Sequence, residues 1–382
     1  MFLVSIWAFA INTSVSGSTY LIAVTILMTY TLFYIIRHKQ TQQLIEVLIL
    51  LKIPLFIALL ICLTMTISNT LNYNSTYSYS WYTQFAFIYC YIAGIISLTF
   101  LYYKKLLTKK TIITFIIIIL AINALFLFLQ KILGISIHSH GIWWKWGFSN
   151  NKNDLGGLMS FAFLICFFIR FKYLESLPRV KRYVLNVLIA IFIICIIFTS
   201  EKASWITLAI CLSIYSLINI KTLKKQNIIF TILILLCISV TIFFLKKYNI
   251  IGLSSLDNSS ASRMEAWKCG IDYFLQNPIF GNGFIWKSID CPIKLVYPHN
   301  STVESLFALG LVGSIVVAVF FLVHAIKAIK TKNIEWLVIL LFLLIYSQFD
   351  HSLYTWQYFY PWILIISFFI FSDEIKAISH KK

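Results

Sequence analysis

Ile250 to Gly313 reads IIGLSSLDNSSASRMEAWKCGIDYFLQNPIFGNGFIWKSIDCPIKLVYPHNSTVESLFALGLVG. Most of it forms the longest part of the chain that cannot be a membrane helix. It ends in Pro298-His299-Asn300, then nine residues, then Gly310-Leu311-Val312-Gly313. On either side lie apolar segments about the length of a bilayer. The 382 residues are 60% hydrophobic and 12% charged, with a mean hydropathy of +0.88. Soluble domains carry about 25% charged residues, and none hides this much apolar surface. Strands of a membrane barrel would alternate apolar and polar residues. These segments are continuously apolar, so they are helices. The sequence therefore reads as an all-α polytopic membrane protein that holds one folded, water-facing loop over a site.

At about twenty apolar residues per crossing, about twelve spans fall near 2–16, 19–36, 44–66, 83–103, 111–129, 155–171, 183–200, 203–219, 227–245, 304–326, 335–349 and 357–372. The chain divides into 1–245 with spans one to nine, 246–303 as the large loop, and 304–382 with spans ten to twelve and a tail. Met1–Ala10 has no basic start and Thr13–Ser18 no small-x-small cleavage site, so this stretch reads as a first span rather than a cleaved signal. The net charge of +18 is not a nucleic-acid signature, because the basic residues mostly sit in short loops between apolar segments. One set of loops, including Arg37, Lys104, Lys109, Lys172 and Lys330, holds twenty Lys and Arg; the opposite set, including Lys202 and Arg263, holds ten over more loop length. The positive-inside rule makes the first set cytoplasmic, which puts both termini inside and the large loop outside.

Six cysteines, Cys62, Cys90, Cys166, Cys195, Cys211 and Cys237, lie in apolar segments and read as small buried hydrophobes. Cys269 and Cys291 share the large loop, where an oxidising compartment would allow a disulfide; two free thiols are the other reading. His138 and His140 make a weak metal pair, with no carboxylate or thiolate at ligand spacing. Trp143, Trp144 and Trp146 beside them suit an interface anchor, or a sugar platform in a saccharide-handling protein. Asn69 to Tyr82, rich in Tyr, reads as an interfacial belt. Glu201-Lys202 is a charge pair in a tight turn between two spans, a functional candidate by its place or a self-neutralising turn. Asp350-His351 has the same ambiguity. Lys52 falls nominally within a span.

Within the large loop, Ser262-x-x-Glu265 is a capping box that predicts a helix start. Met264, Trp267, Ile271 and Phe274 follow at helical spacing, giving an amphipathic helix at the membrane surface. Pro278 predicts its end, and Gly281-Asn282-Gly283 a turn. Arg263 then falls at the first helical position, where backbone N–H groups favour anions and a guanidinium adds a phosphate fork. The alternative is a solvated Arg paired with Glu265 or Asp257. His299, at the membrane re-entry, is a candidate general base or a polar cap, with Asn300 orienting it or binding substrate. Gly310 and Gly313 suit close helix packing.

These residues resemble a known family. His299-Asn300, nine residues, Gly310-x-x-Gly313 is similar to the histidine signature of bacterial O-antigen ligases. Ser262-Arg263-Met264-Glu265-Ala266-Trp267 and Asn277-Pro278-Ile279-Phe280-Gly281-Asn282-Gly283 look like the loop shared by O-antigen ligases and polymerases. Gly147 to Asn153 resembles a Gly-Phe-x-Asn-x-x-Asn pattern of that superfamily. The likeness covers roughly residues 140–350. It implies a GT-C-type glycosyltransferase of the inner membrane, acting in lipopolysaccharide biosynthesis. Such an enzyme moves O-antigen glycan from undecaprenyl diphosphate to a sugar hydroxyl of lipid A-core on the periplasmic face. The reaction inverts the anomeric centre and needs no metal, nucleotide or other cofactor. The partners implied are the lipid-linked donor, the lipid A-core acceptor and membrane lipids.

Carried over by position, His299 takes the catalytic role and Arg263 binds the donor diphosphate. Lys202 stands where the family has a second arginine, and a lysine holds phosphate only as a point charge. Asn300, Asp350 and Asn153 are supporting positions. No Asp-x-Asp pair stands in the external loops, which speaks against a metal-held diphosphate. The nearest alternative is an O-antigen polymerase, which joins undecaprenyl-linked repeats. A transferase with a protein acceptor differs only in acceptor. A transporter or flippase would show broken helices with mid-span charges and an internal repeat, and the sequence shows neither.

Overall fold

The computed structural model describes residues 17–72, 79–134, 137–139, 142–144, 152–172, 177–199, 201–219, 255–284, 291, 298–349 and 359–373. The predicted spans at 2–16 and 227–245 lie outside these residues, as do Cys237, His140 and Asp350. The helices are α1 (Gly17–Arg37), α2 (Thr41–Leu50), α3 (Lys52–Leu71), α4 (Tyr79–Tyr103), α5 (Lys109–Leu133), α6 (Lys152–Lys172), α7 (Arg179–Thr199), α8 (Lys202–Ile218), α9 (Ser255–Gln276), α10 (Ser301–Lys330), α11 (Ile334–Tyr346) and α12 (Phe359–Phe371). Five of the described helices, α3, α5, α6, α7 and α10, are long and apolar enough to cross a membrane by length and composition. A short antiparallel ribbon, β1 (Ile137–Ser139) and β2 (Ile142–Trp144), pairs His138 with Trp143 and is too small to alter the helical class.

The bundle is apolar inside and out. Phe33, Phe56 and Ile132 are 57%, 61% and 75% exposed, a surface that water would penalise and lipid tails accept. Buried α6 and α12 form the centre: Leu155–Phe168 and Pro361–Phe371 are buried throughout. Inside this core a polar chain joins α4, α10 and α12. Tyr91 Oη donates to Ser367 Oγ at 3.0 Å, and Ser367 Oγ lies 2.7 Å from His324 Nε2. His324 Nδ1 lies 2.7 Å from the Phe320 carbonyl. That carbonyl only accepts, so Nδ1 carries the proton and Ser367 donates to Nε2.

Local chemistry sets the helix ends. Thr108 caps α5 by accepting from Thr111 N–H at 3.0 Å, and Gly134, at φ 62°, closes it in the left-handed conformation. The expected single span at 44–66 is instead two helices. Pro54 has no N–H for the Leu50 carbonyl, and its ring crowds that carbonyl. The ladder therefore stops at Leu51, and α3 restarts with Pro54 in its first turn, where proline is tolerated. Lys52 is the exposed first residue of α3 rather than a mid-span charge.

Hydrogen bonds sort the loops onto two ends. At one end Lys104 meets Gln40, Glu46 accepts from Tyr103 at 2.6 Å, Lys109 and Asn333 bind Asp373, and Lys172 pairs with Glu335 at 3.0 Å. Among the described residues, this end carries Arg37, Lys104, Lys109, Lys172 and Lys330. The other end gathers the C-termini of α3 and α11, the N-termini of α6, α8 and α10, and α9.

Candidate functional site

The second end is built around the short turn after α11. Arg263 Nη1 donates to the Phe349 carbonyl at 3.0 Å. Asn300 Nδ2 donates to the Gln348 carbonyl at 3.1 Å, and Ser301 N–H to the Ser347 carbonyl at 3.0 Å. One residue earlier, Tyr346 Oη donates to the Asn153 carbonyl at 2.7 Å. Four consecutive residues thus tie α9, α10 and α6 together. Gly156 and Gly157 allow the approach of α6: a Cβ on Gly157 would lie 3.1 Å from the Tyr346 ring, and one on Gly156 2.8 Å from Glu201 Cβ. That second contact brings in the turn before α8.

Each expected site residue can now be placed. His299 has φ 53°, a left-handed conformation that is uncommon in a non-glycine residue. It is not the helix cap. Asn300 fills that role, its Oδ1 accepting from Val303 N–H at 3.0 Å. Arg263 is partly buried beside Phe349, but not at a helix start as expected. Helix α9 begins at Ser255, so Arg263 is well inside it. Residues 255–261 contain no Gly or Pro to stop a helix, and the Ser262-x-x-Glu265 pattern occurs within the helix rather than opening it. The dipole contribution to an anion seat at Arg263 is thereby removed, and the guanidinium remains. Lys202 is the first residue of α8. Its neighbour Glu201 is buried and caps that helix, with Oε1 accepting from Ala203 N–H at 3.2 Å and Oε2 from Ser204 N–H. Asn153 offers its backbone to Tyr346. Asp350 follows Phe349 directly but lies outside the described residues.

The two halves of the large loop lock into α10. Helix α9 ends at Gln276, before Pro278 as expected. The following turn inserts into a break in α10 at Gly310 (φ 64°, ψ −167°), a conformation only glycine adopts readily. Asn282 N–H donates to the Phe307 carbonyl at 2.7 Å and Gly283 N–H to that of Ala308 at 3.0 Å. Leu311 N–H donates to Pro278 O at 2.8 Å and Val312 N–H to Ile279 O at 3.2 Å. The break frees these helix groups, and the turn satisfies them. Gly310 and Gly313 therefore serve a helix break, not the expected packing of two intact helices. A Cβ on Gly310 would strike the Ile279 carbonyl, and one on Gly313 would strike the Leu309 side chain that the break swings over it.

Sequence reading missed three further residues. Ser68, Asn69 and Asn72, in and just after the last turn of α3, hold the same turn. Ser68 Oγ donates to Ala308 O and accepts from Gly283 N–H at 2.9 Å. Asn69 Oδ1 accepts from Phe284 N–H at 3.2 Å, and Asn72 Nδ2 donates to Gly281 O at 2.9 Å. Asn69 is thus buried, not part of an interfacial belt. The signal available was a run of short polar side chains closing an apolar helix.

Cys269 and Cys291 form a disulfide, with Cα atoms 6.1 Å apart and a sequence separation of 22. With Trp267 Nε1 donating to Pro298 O at 2.7 Å, α9 is fastened to the segment leading into His299. A loop of 22 residues predicts about 3 kcal/mol of stabilisation from the crosslink. Maleimide labelling of isolated membranes should leave Cys269 and Cys291 unmodified until a reductant is added. Immediate labelling of both would mean the pair is open in the cell.

Helices around a polar end, with a kinked helix and an inserted turn, define a multi-pass membrane protein whose candidate site lies at one end of the bundle. Residues 187–318 match the family model described as O-antigen ligase, which supports a place in the O-antigen ligase and polymerase superfamily. The match takes in Lys202, Arg263, His299 and Gly310. No curated protein matches the chain. The family implies a glycosyltransferase-like activity on lipid-linked glycans.

Proposed function

We propose that this protein is an O-antigen ligase of the inner membrane, with about twelve spans and a GT-C-type architecture. It transfers O-antigen glycan from undecaprenyl diphosphate to a hydroxyl of lipid A-core on the periplasmic face, with inversion and without a metal. The observation that carries this reading is the turn Ser347–Phe349, whose carbonyls hold both Arg263 and the His299-Asn300 segment. The Cys269–Cys291 disulfide supports the periplasmic placement, since such bonds persist in oxidising compartments. The twofold excess of Lys and Arg at the other end supports the same orientation.

In this mechanism His299 accepts the proton of the attacking acceptor hydroxyl. Arg263 neutralises the diphosphate as its charge develops on leaving. It spends one N–H on Phe349 O and keeps others for phosphate oxygens. Lys202 adds a point charge from the start of α8, whose Ala203 and Ser204 N–H groups are taken by Glu201. Asn300 keeps His299 in place through its cap, Asn153 accepts a bond from Tyr346 beside the turn, and Asp350 is the next residue in sequence after Phe349. Lys202→Arg should retain activity, while Lys202→Ala should lower transfer by about 10-fold or more, measured with purified protein and lipid-linked donor. Full activity of Lys202→Ala would remove Lys202 from the mechanism.

A further inference from the structure

We infer that Ser68, with Asn69 and Asn72, is a positioning residue of the transfer site, contributed by the part of the chain that precedes the family match. This rests on the transfer reaction proposed above. The length of α10 supplies the reason. Leu311–Lys330 alone is about 30 Å of helix, enough to cross the hydrocarbon core. The segment Ser301–Leu309 on the far side of the break is therefore not needed for crossing. Its placement is set by its two ends, and His299 sits at one of them.

The upper end is held by Ser347 and Gln348, which bond Ser301 and Asn300. The lower end is held at the Gly310 break, where Phe307 and Ala308 expose carbonyls to the Gly281–Gly283 turn. Helix α3 fixes that turn and that segment together, alongside the direct bonds of the turn to Phe307 and Ala308 and the contacts of Tyr273 in α9. The fully buried Ser68 hydroxyl bonds Ala308 O and Gly283 N–H at once, while Asn69 and Asn72 hold Phe284 N–H and Gly281 O. Four backbone groups of two separate segments are thus satisfied by one helix end. Loss of the Ser68 hydroxyl removes its bonds to Ala308 O and Gly283 N–H and loosens Ser301–Leu309 at its lower end, which displaces His299 from the acceptor hydroxyl. A misplacement of about 1 Å at a reacting group costs about 100-fold in rate.

The test uses the full-length protein in nanodiscs, a lipid-diphosphate-linked glycan as donor and lipid A-core as acceptor. Ser68→Ala should lower kcat by about 100-fold while the donor KM stays within about threefold. Amide exchange at Gly283 and Phe284 should accelerate. Ser68→Thr, which keeps the hydroxyl, should restore both. Wild-type kcat in Ser68→Ala would overturn the proposal, whether or not exchange changes. If Ser68→Ala does not reach the membrane, Asn72→Ala leaves the Ser68 hydroxyl in place and removes the bonds to the Gly281 and Ser68 carbonyls, and its kcat should fall about 10-fold; an unchanged kcat overturns the proposal. No transfer by the wild-type protein, or full transfer by His299→Ala, would instead sink the reaction itself and the positioning role with it. The exchange data would then still report whether the clamp exists.

Discussion

Replacing His299 with alanine is expected to slow glycan transfer by about 100- to 10,000-fold, the contribution of a general base, with the protein still present in the membrane. The residue holds φ 53°, and alanine carries the same Cβ as histidine, so the substitution changes this backbone strain little. His299→Asn is the companion variant, because asparagine tolerates the left-handed conformation but does not accept the proton. Both variants should lose transfer, and His299→Asn should keep the thermal stability of the wild type. Transfer by His299→Asn near the wild-type rate would remove the imidazole from the chemistry. Because Asn300, not His299, caps α10, Asn300→Ala should behave differently. It should lower stability by about 1 kcal/mol along with activity.

The second large effect is expected at Gly310. Alanine at φ 64°, ψ −167° enters a region almost restricted to glycine and meets the Ile279 carbonyl. Strain and the loss of the four bonds between turn and helix together cost at least about 3 kcal/mol. Thermal unfolding in detergent should show a large fall in Tm for Gly310→Ala. Gly134→Ala is the control: the position has φ 62° with nothing within 4 Å of an added Cβ, so only about 1 kcal/mol is lost. Equal, small effects at both glycines would mean that the inserted turn does not depend on the break.

How legible was this in the sequence? Features that depend on neighbours in the chain were. Among the described residues, Pro278 ends α9, the continuous apolar runs mark helices, and the basic residues divide between the two ends of the bundle. Pro54 carried an equally local signal that went unread, because an apolar run of bilayer length hides a break at Leu51. Arg263 was misplaced for a related reason. Short polar residues at 257–260 and 262 suit both a cap and a first helical turn, and only the chain upstream decides between them. The rest was long-range. The Ser68–Ala308 bond spans 240 residues and the Arg263–Phe349 bond 86, and no spacing rule reaches that far. The histidine signature pointed to a catalytic residue and two glycines, but its physical content lay in the turn that fills the break. Gly281-Asn282-Gly283 and Gly310-x-x-Gly313 are two halves of one joint.

The central claim is that this joint and its histidine attach a finished glycan to lipid A-core. The most direct measurement is the lipopolysaccharide pattern of a strain lacking the protein, complemented with wild type or His299→Ala. The account predicts that the deletion and His299→Ala strains carry bare core, without long or single-repeat glycan, and that wild type restores the full ladder. A deletion strain that retains one repeat unit on its core would contradict ligation and assign the protein to polymerisation.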